Sequence, residues 1–375
     1  MTETVSIIGA GIGGLTTALT LKQRGLNVTV YEASAEIKPV GAGIILANNA
    51  MQVFQKLGIH TKIEKAGNQI SYMKITDTKL NKISEVDLTE YEKKYGVHNI
   101  AIHRGELQKI LANEIGYDNI RLSKRLAKIE KAELFKLTFE DDSTIESKLV
   151  IGADGIKSIV RNQLFGKSPI RNANQTCWRG LCEIKLPKKY DHEFNEAWGK
   201  GKRFGFGRIS DNKVYWYALT NSNNTKQAEV DLTELFSKFH TDILNIISAT
   251  NKEQIFVSDI MDLKPINKWQ SENVCLIGDA AHATTPNLGQ GACQAIEDAY
   301  VLGKLLDNGI AIENTFKEYE NLRRKKVHKI VNTSWILGKV AHWSNPLLVW
   351  LRNTFLRITP SSVNKKQMNE IFELN

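Results

Sequence analysis

Thr4-Val5-Ser6-Ile7-Ile8-Gly9-Ala10-Gly11-Ile12-Gly13-Gly14-Leu15 is the stretch that decides the fold. Its first five residues form a β-rich run. After it, Leu15, Ala18, Leu19 and Leu21 fall at helical spacing until Gly25 stops the pattern. Asn27-Val28-Thr29-Val30-Tyr31-Glu32 reads as a second strand. Such a βαβ start with a right-handed crossover implies a parallel sheet. Within Gly9-x-Gly11-x-x-Gly14, Gly9 permits a tight turn, and Gly11 lets the backbone approach a pyrophosphate. Gly14 packs the helix on the strand, so that the helix N-terminus faces the phosphates. Glu32 sits close to the offset of about 20 residues expected for the carboxylate that binds a ribose hydroxyl, and it would repel a 2′-phosphate. A dinucleotide pocket follows, though this motif alone does not separate NAD from FAD.

Outward from that unit, the 375 residues are 42% apolar and 24% charged, which excludes a disordered chain. The net charge of +9 includes the cluster Arg323-Arg324-Lys325-Lys326, which reads as the basic face of a helix. No nucleic-acid motif accompanies it, so the excess reads mainly as solvated surface, concentrated in the C-terminal helices. No apolar run approaches the roughly 18 residues of a membrane span, and no charged leader precedes Thr4. Cys177, Cys182, Cys275 and Cys293 form no CxxC pair and have no zinc-spaced histidine, so a reduced cytoplasmic protein without a metal is expected. Ser71–Thr76, Leu134–Phe139, Cys182–Leu186 and Val214–Leu219 alternate apolar and polar residues and predict antiparallel strands. A helix is predicted over Arg104–Glu114, a buried strand over Val274–Ile277, and a helix from Gly291 to Leu306. The chain therefore reads as an α/β fold, with a parallel sheet assembled from separated pieces and an antiparallel unit inserted between them.

Two later segments add chemistry. They are Ile151-Gly152-Ala153-Asp154-Gly155-x-x-Ser158-x-x-Arg161 and Gly278-Asp279-Ala280-Ala281-His282-x-x-x-Pro286-x-x-Gly289-Gln290-Gly291. With the first motif they resemble the three fingerprints of the group A, p-hydroxybenzoate hydroxylase-like, flavin monooxygenases. The resemblance covers nearly the whole chain. It implies a Rossmann-like FAD-binding domain of the GR2 type from residues 1–70, 100–175 and 265–311. A mostly antiparallel β-sheet substrate domain is implied over 71–99 and 176–264, and a helical region over 312–375. Bound FAD is implied, with NADH or NADPH as a transient co-substrate. The implied FAD contacts are Gly9, Gly11, Gly13, Gly14, Glu32, Ala33, Gly43, Ile45, Arg104, Leu126, Asp154, Asp279, Pro286, Gly289, Gln290, Gly291 and Ala292. Arg161 shares the expected role of Asp154 near the pyrophosphate and NAD(P)H. Asp279 is suited to a ribityl hydroxyl. The helix after Gly289 directs its positive end at the flavin edge that becomes negative on reduction. Arg104, in His103-Arg104-x-x-Leu107, is suited to a charge-assisted contact. Val40-Gly41-Ala42-Gly43-Ile44 resembles the stretch beside the flavin, with Asn48-Asn49 where the family often has a proline. His282 reads as a structural hydrogen-bonding residue.

The resemblance also implies a reaction. NAD(P)H reduces FAD, and O2 then gives a C4a-hydroperoxyflavin that hydroxylates a small electron-rich aromatic or heteroaromatic substrate. Gly201-Lys202-Arg203 and Val214-Tyr215 resemble the urate hydroxylase subgroup, which makes Arg203 and Tyr215 the catalytic candidates and an anionic ring a suitable substrate. Trp216-Tyr217-Ala218 resembles zeaxanthin epoxidase-like members, so oxidation of a lipophilic polyene, terpenoid or polyketide remains an alternative. A reductase or a non-catalytic binding protein is the reading from another class. On a strand, Tyr215 and Tyr217 share one face and Trp216 takes the other. The segment holding Trp335, Trp343 and Trp350 reads as helix packed on the FAD domain or at a dimer contact, with membrane contact the less favoured alternative.

Overall fold

The computed structural model describes residues 4–37, 42–222, 230–308 and 310–374. Val40 and Gly41 lie outside them.

Six strands form the first sheet. Thr4–Ile8 lies at its centre, parallel to Asn27–Tyr31 on one side and Leu149–Gly152 on the other. Val274–Leu276 continues the parallel order beyond Leu149–Gly152, Ile120–Arg121 lies beyond Asn27–Tyr31, and Gln270–Ser271 adds an antiparallel edge. The sheet is thus built from pieces far apart in sequence, because these short runs are apolar enough to be buried on both faces. Helix Ile12–Lys22 follows the first strand, and Gly291–Asp307 packs against it with Gly13 close to Ala295.

The inserted sheet has seven strands, ordered Phe256–Leu263, Ile170–Glu183, Lys213–Asn221, Lys202–Arg208, Glu193–Trp198, Tyr72–Thr76 and Lys82–Asp87. Every pairing is antiparallel except Glu193–Trp198 with Tyr72–Thr76. The strand expected over Cys182–Leu186 is displaced. It runs from Ile170 to Glu183, and Ile184–Leu186 leaves the sheet ahead of Pro187, which has no N–H to give a ladder. Its polar first half showed no alternation, yet it pairs with Phe256–Leu263 across a bulge. Phe135–Phe139 belongs to a separate three-stranded sheet with Leu126–Lys131 and Thr144–Ser147.

Three helices, Ile312–Ala341, Pro346–Ile358 and Ser361–Phe372, complete the chain. Two expectations are corrected here. Arg323 is wholly buried rather than part of a solvated basic face. Of the two settings expected for helix Pro346–Ile358, packing on the FAD domain through its apolar residues is not observed: Leu347, Trp350, Leu351, Phe355 and Ile358 are exposed, and Arg352 is the side chain it buries.

Candidate active site

The glycine turn is shaped by contact. Gly9 has φ +107°, and a Cβ there would come 2.5 Å from the Ala153 carbonyl oxygen. A Cβ on Gly14 would collide with the Gly9 carbonyl oxygen, whereas one on Gly11 would meet nothing within 4 Å. The first and third glycines therefore close the fold, and the second leaves space in front of a helix N-terminus. Glu32 braces the turn: its Oε2 accepts from the Ala10 N–H at 2.7 Å and its Oε1 from Ser34 N–H at 2.8 Å. Ala33 follows it at the strand end. Gln108 donates to the Ala10 carbonyl at 2.7 Å. Leu126 lies in the core, so its side chain offers only apolar contact.

Asp154 Oδ2 accepts from the Ile159 and Val160 N–H groups at 2.7 and 3.1 Å. Its Oδ1 is buried and has no partner among the described residues, and burial raises its carboxyl pKa. The expectation for Arg161 is corrected. Its side chain is buried, donating to the carbonyls of Ala280 and Ile156 at 2.8 and 2.6 Å. It ties two loops together and leaves no side-chain surface exposed. Arg104 stands exposed at the start of helix Arg104–Ile115. The strand Gly43–Leu46, carrying Gly43 and Ile45, pairs with Ile100–His103, which leads into that helix.

The third fingerprint forms a loop anchored from behind. Asp279 is exposed at the start of a short helix; Pro286–Leu288 makes one tight turn, and Gly289 adopts φ +63° before helix Gly291–Asp307. Gly291 and Ala292 lie in that helix's first turn, whose N–H groups lack intrahelical acceptors. Gln290 is buried, and its Oε1 accepts from Asn49 Nδ2 at 3.2 Å and Gln294 Nε2 at 3.0 Å. Asn49 also donates to Glu297 Oε2 at 3.1 Å. Arg323 then binds Glu297, Asp298 Oδ1 at 2.9 Å and Gln294 Oε1 at 2.7 Å. His282 Nε2 lies 2.7 Å from Asp298 Oδ2, which also accepts the Gly278 N–H at 3.0 Å, so His282 is structural. Burial alone would raise the Asp298 carboxyl pKa. The adjoining His282 and Arg323 outweigh that and hold it well below the usual carboxylate range.

The inserted sheet faces this loop with aromatic residues. Tyr215 and Tyr217 share the facing side with Phe194, while Trp216 lies in the opposite core and donates to Thr250 Oγ1 at 2.8 Å. Gly207 and Gly205 sit opposite Tyr215 and Tyr217 in the ladder. A Cβ on Gly207 would come 2.5 Å from a Phe194 ring carbon, and one on Gly205 2.6 Å from the Tyr217 hydroxyl oxygen. Tyr215 packs against Gly43. Arg203 is only 2% exposed; its Nη1 lies 3.1 Å from Glu196 Oε1 and its Nη2 donates to Asn287 Oδ1 at 2.7 Å. Asn287 Nδ2 donates in turn to Thr285 Oγ1 and the Ser334 carbonyl, both at 2.9 Å. Burial, reinforced by Glu196, pushes the Tyr217 phenol pKa well up.

Glu196, Asn287, Asn49 and Arg323 escaped the sequence reading. Asn287 lay inside a fingerprint, and the Glu297-Asp298 pair amid apolar residues of a helix was a signal for a buried cation. Glu196 had none. Among the described residues no group of three or more His, Cys, Asp or Glu is placed to hold a metal ion.

FAD fits the residues present. Gly11 leaves the pyrophosphate room, Asp154 Oδ1 awaits a donor, Asp279 and Arg104 are exposed, and a helix N-terminus follows Gly289. The FAD binding domain family matches residues 1–334. The chain is 34% identical to an aurachin C monooxygenase/isomerase of Stigmatella aurantiaca, covering 96% of this chain and 94% of the relative. It is 30% identical to a 2-heptyl-3-hydroxy-4(1H)-quinolone synthase of Pseudomonas aeruginosa, covering 98% and 97%. The crystal structure of Klebsiella pneumoniae HpxO complexed with FAD and uric acid superimposes with a TM-score of 0.90 at 27% identity, covering 99% of this chain and 96% of that one. Motifs, fold and relatives agree: the chain belongs to the FAD binding domain family and is an FAD-dependent monooxygenase of the p-hydroxybenzoate hydroxylase-like group.

Proposed function

We propose that this monooxygenase hydroxylates a neutral, electron-rich heteroaromatic ring bearing an apolar substituent, of the 4(1H)-quinolone type. When bound, FAD supplies reduction by NADH or NADPH and activation of O2, so that one oxygen atom enters the ring and the other leaves as water. Gly11 would leave room for the pyrophosphate, Asp154 Oδ1 would accept from a cofactor hydroxyl, and the N–H groups that open helix Gly291–Asp307 would favour negative charge on the flavin edge. Gln290, fixed through Asn49 and Gln294, keeps that loop from shifting during the cycle.

The observation that carries the substrate reading is the Arg203–Glu196 pair. The guanidinium already has a carboxylate and an amide, so the sheet face beside it is charge-compensated and otherwise aromatic. A neutral ring enters such a face without penalty, whereas an anion must displace or oppose Glu196. This shifts the expectation away from a small anionic ring. The 30% identity with a 2-heptyl-3-hydroxy-4(1H)-quinolone synthase over 98% of the chain supports the same class. Burial pushes the Tyr215 phenol pKa up, so it stays protonated and serves as a donor and a ring wall rather than a base.

The test is NAD(P)H oxidation by the holoenzyme with a 2-alkyl-4(1H)-quinolone, urate and salicylate, and mass spectrometry of products formed in labelled O2. The quinolone is expected to stimulate oxidation and gain one labelled oxygen. Stimulation by urate or salicylate alone overturns the reading.

A further inference from the structure

We propose that the outer face of helix Pro346–Ile358 docks on an anionic lipid surface. The helix is built inside out. Leu347, Trp350, Phe355 and Ile358 are 63%, 60%, 67% and 70% exposed, while Arg352 is 3% exposed. With Leu351 they recur every three or four residues and form one continuous apolar stripe. Val363 on the next helix and Ile336 on the preceding one are exposed as well. A stripe of this kind marks an interaction site rather than ordinary surface.

Charge identifies the occupant. The 49 residues from 321 to 369 carry ten Lys or Arg and no Asp or Glu, while the remainder carries 40 Lys or Arg against 41 Asp or Glu. The whole positive excess of the chain therefore resides in the region that holds the stripe. Several of these cations are used internally: Arg323 and Lys326 with Glu297, Arg324 with Glu320, Lys329 with Glu370, and Lys365 with Glu90. Lys325, Lys339, Arg357 and Lys366 are exposed. Arg357 lies seven residues after Trp350, at the edge of the stripe. Exposed Trp, Phe and Leu flanked by Arg and Lys are the composition of a helix lying in a headgroup layer. At 13 residues the helix is about 20 Å long, shorter than a bilayer core of about 30 Å. No helix among the described residues is long and apolar enough to cross a membrane, so this one lies on the surface.

The inner side of the same helix reaches the substrate sheet. Arg352 Cζ stacks 5.0 Å above the Trp198 ring, and Trp198 is the ladder partner of Arg203. Docking would therefore set the substrate sheet beside the lipid, where an apolar substrate concentrates. The docking itself stands apart from the substrate assignment, and its test needs no turnover.

The experiment is flotation of the FAD-loaded protein with vesicles of phosphatidylcholine containing about one-third phosphatidylglycerol, and with pure phosphatidylcholine vesicles. Wild type is expected to float with the anionic vesicles and to be released by high salt. The variants Trp350→Ser/Phe355→Ser and Arg357→Glu/Lys366→Glu are each expected to bind at least about 10-fold less, with unchanged FAD content and melting temperature. Absence of flotation overturns the proposal, as does binding that both variants leave intact. A wild-type dimer that Trp350→Ser/Phe355→Ser renders monomeric, without vesicle binding, assigns the face to a second copy instead.

Discussion

Arg203 Nη2 lies 2.7 Å from Asn287 Oδ1, so one hydrogen bond joins the substrate sheet to the turn that precedes the flavin-facing helix. Arg203 thereby ties that turn to the sheet, and in the proposed function it is a positioning residue. Arg203→Gln is expected to retain FAD and to lower kcat/KM by about 10- to 100-fold, with a larger share of NAD(P)H oxidation ending in hydrogen peroxide. The ratio of hydroxylated product to NAD(P)H consumed measures this. Arg203→Ala is expected to be less stable by about 3–5 kcal/mol, because it leaves Glu196 without its cation, and Arg203→Ala/Glu196→Gln is expected to recover much of that loss.

The glycines of the first motif separate folding from cofactor binding. Gly11→Ala meets open space in the protein and is expected to melt within a few degrees of wild type, yet to bind FAD at least about 10-fold more weakly, because the methyl group occupies the approach to the pyrophosphate. Gly14→Ala forces the helix from the turn and is expected to lose both stability and flavin. Flavin absorbance and thermal melts of the apoprotein distinguish the two outcomes.

Arg323 closes a buried circuit with Glu297 and Asp298. Arg323→Ala is expected to cost about 3–5 kcal/mol, since two carboxylates then remain buried with reduced compensation. Asp298 titrates below its ordinary range, so its contribution is fully present above an unfolded pKa of about 4 and is lost as pH falls through its lower folded value. Denaturant titrations of wild type and Asp298→Asn across acid pH check the sign: the wild-type advantage is expected to shrink with falling pH.

His342 gives a parallel case for a base, with burial rather than a partner as the cause. Burial, aided by the Arg203 cation, depresses its pKa to about 3. The folded protein therefore holds it neutral, while the unfolded chain binds a proton below an ordinary value of about 6.5. Its contribution is unchanged above that value and becomes increasingly unfavourable as pH falls from there towards 3. His342→Asn is expected to flatten this part of the stability profile between those limits, by at most about 1.4 kcal/mol per pH unit. A profile identical to wild type would contradict the assignment.

All four cysteines are free and buried, and burial raises the thiol pKa of each, that of Cys182 to about 11 and that of Cys293 to about 12. Native holoenzyme is expected to react with a thiol-specific disulfide reagent only after unfolding, read as absorbance with and without denaturant.

The parallel sheet and the conformations of the glycine loops were legible because glycine spacing has a local cause: Gly9 and Gly289 must adopt positive φ, and Gly14 must pass a carbonyl. The shared face of Tyr215 and Tyr217 was legible for the same reason, since alternation is a property of any strand. What stayed hidden depends on distant partners. Nothing local marks Glu196 as the partner of Arg203. The sequence Arg323-Arg324-Lys325-Lys326 reads as a basic surface unless Glu297 and Asp298 are known to lie across from it. Ile170–Glu183 was missed because hydrogen bonding to Phe256–Leu263 overrides a polar sequence with weak strand preference. Arg161 shows the converse: a fingerprint arginine was given a ligand role, and the fold uses it as a tie between loops.

Gly205 and Gly207 have a consequence for how this scaffold can diversify. They leave two side-chain berths empty on the substrate side of one strand, and rings from its neighbours fill them. The space on that side of the strand is thus filled by Tyr215, Tyr217 and Phe194. Exchanging a ring for a smaller side chain enlarges the berth while strand register and the flavin loop stay as they are. Each ring can therefore be exchanged singly, with the backbone of the two glycines unchanged.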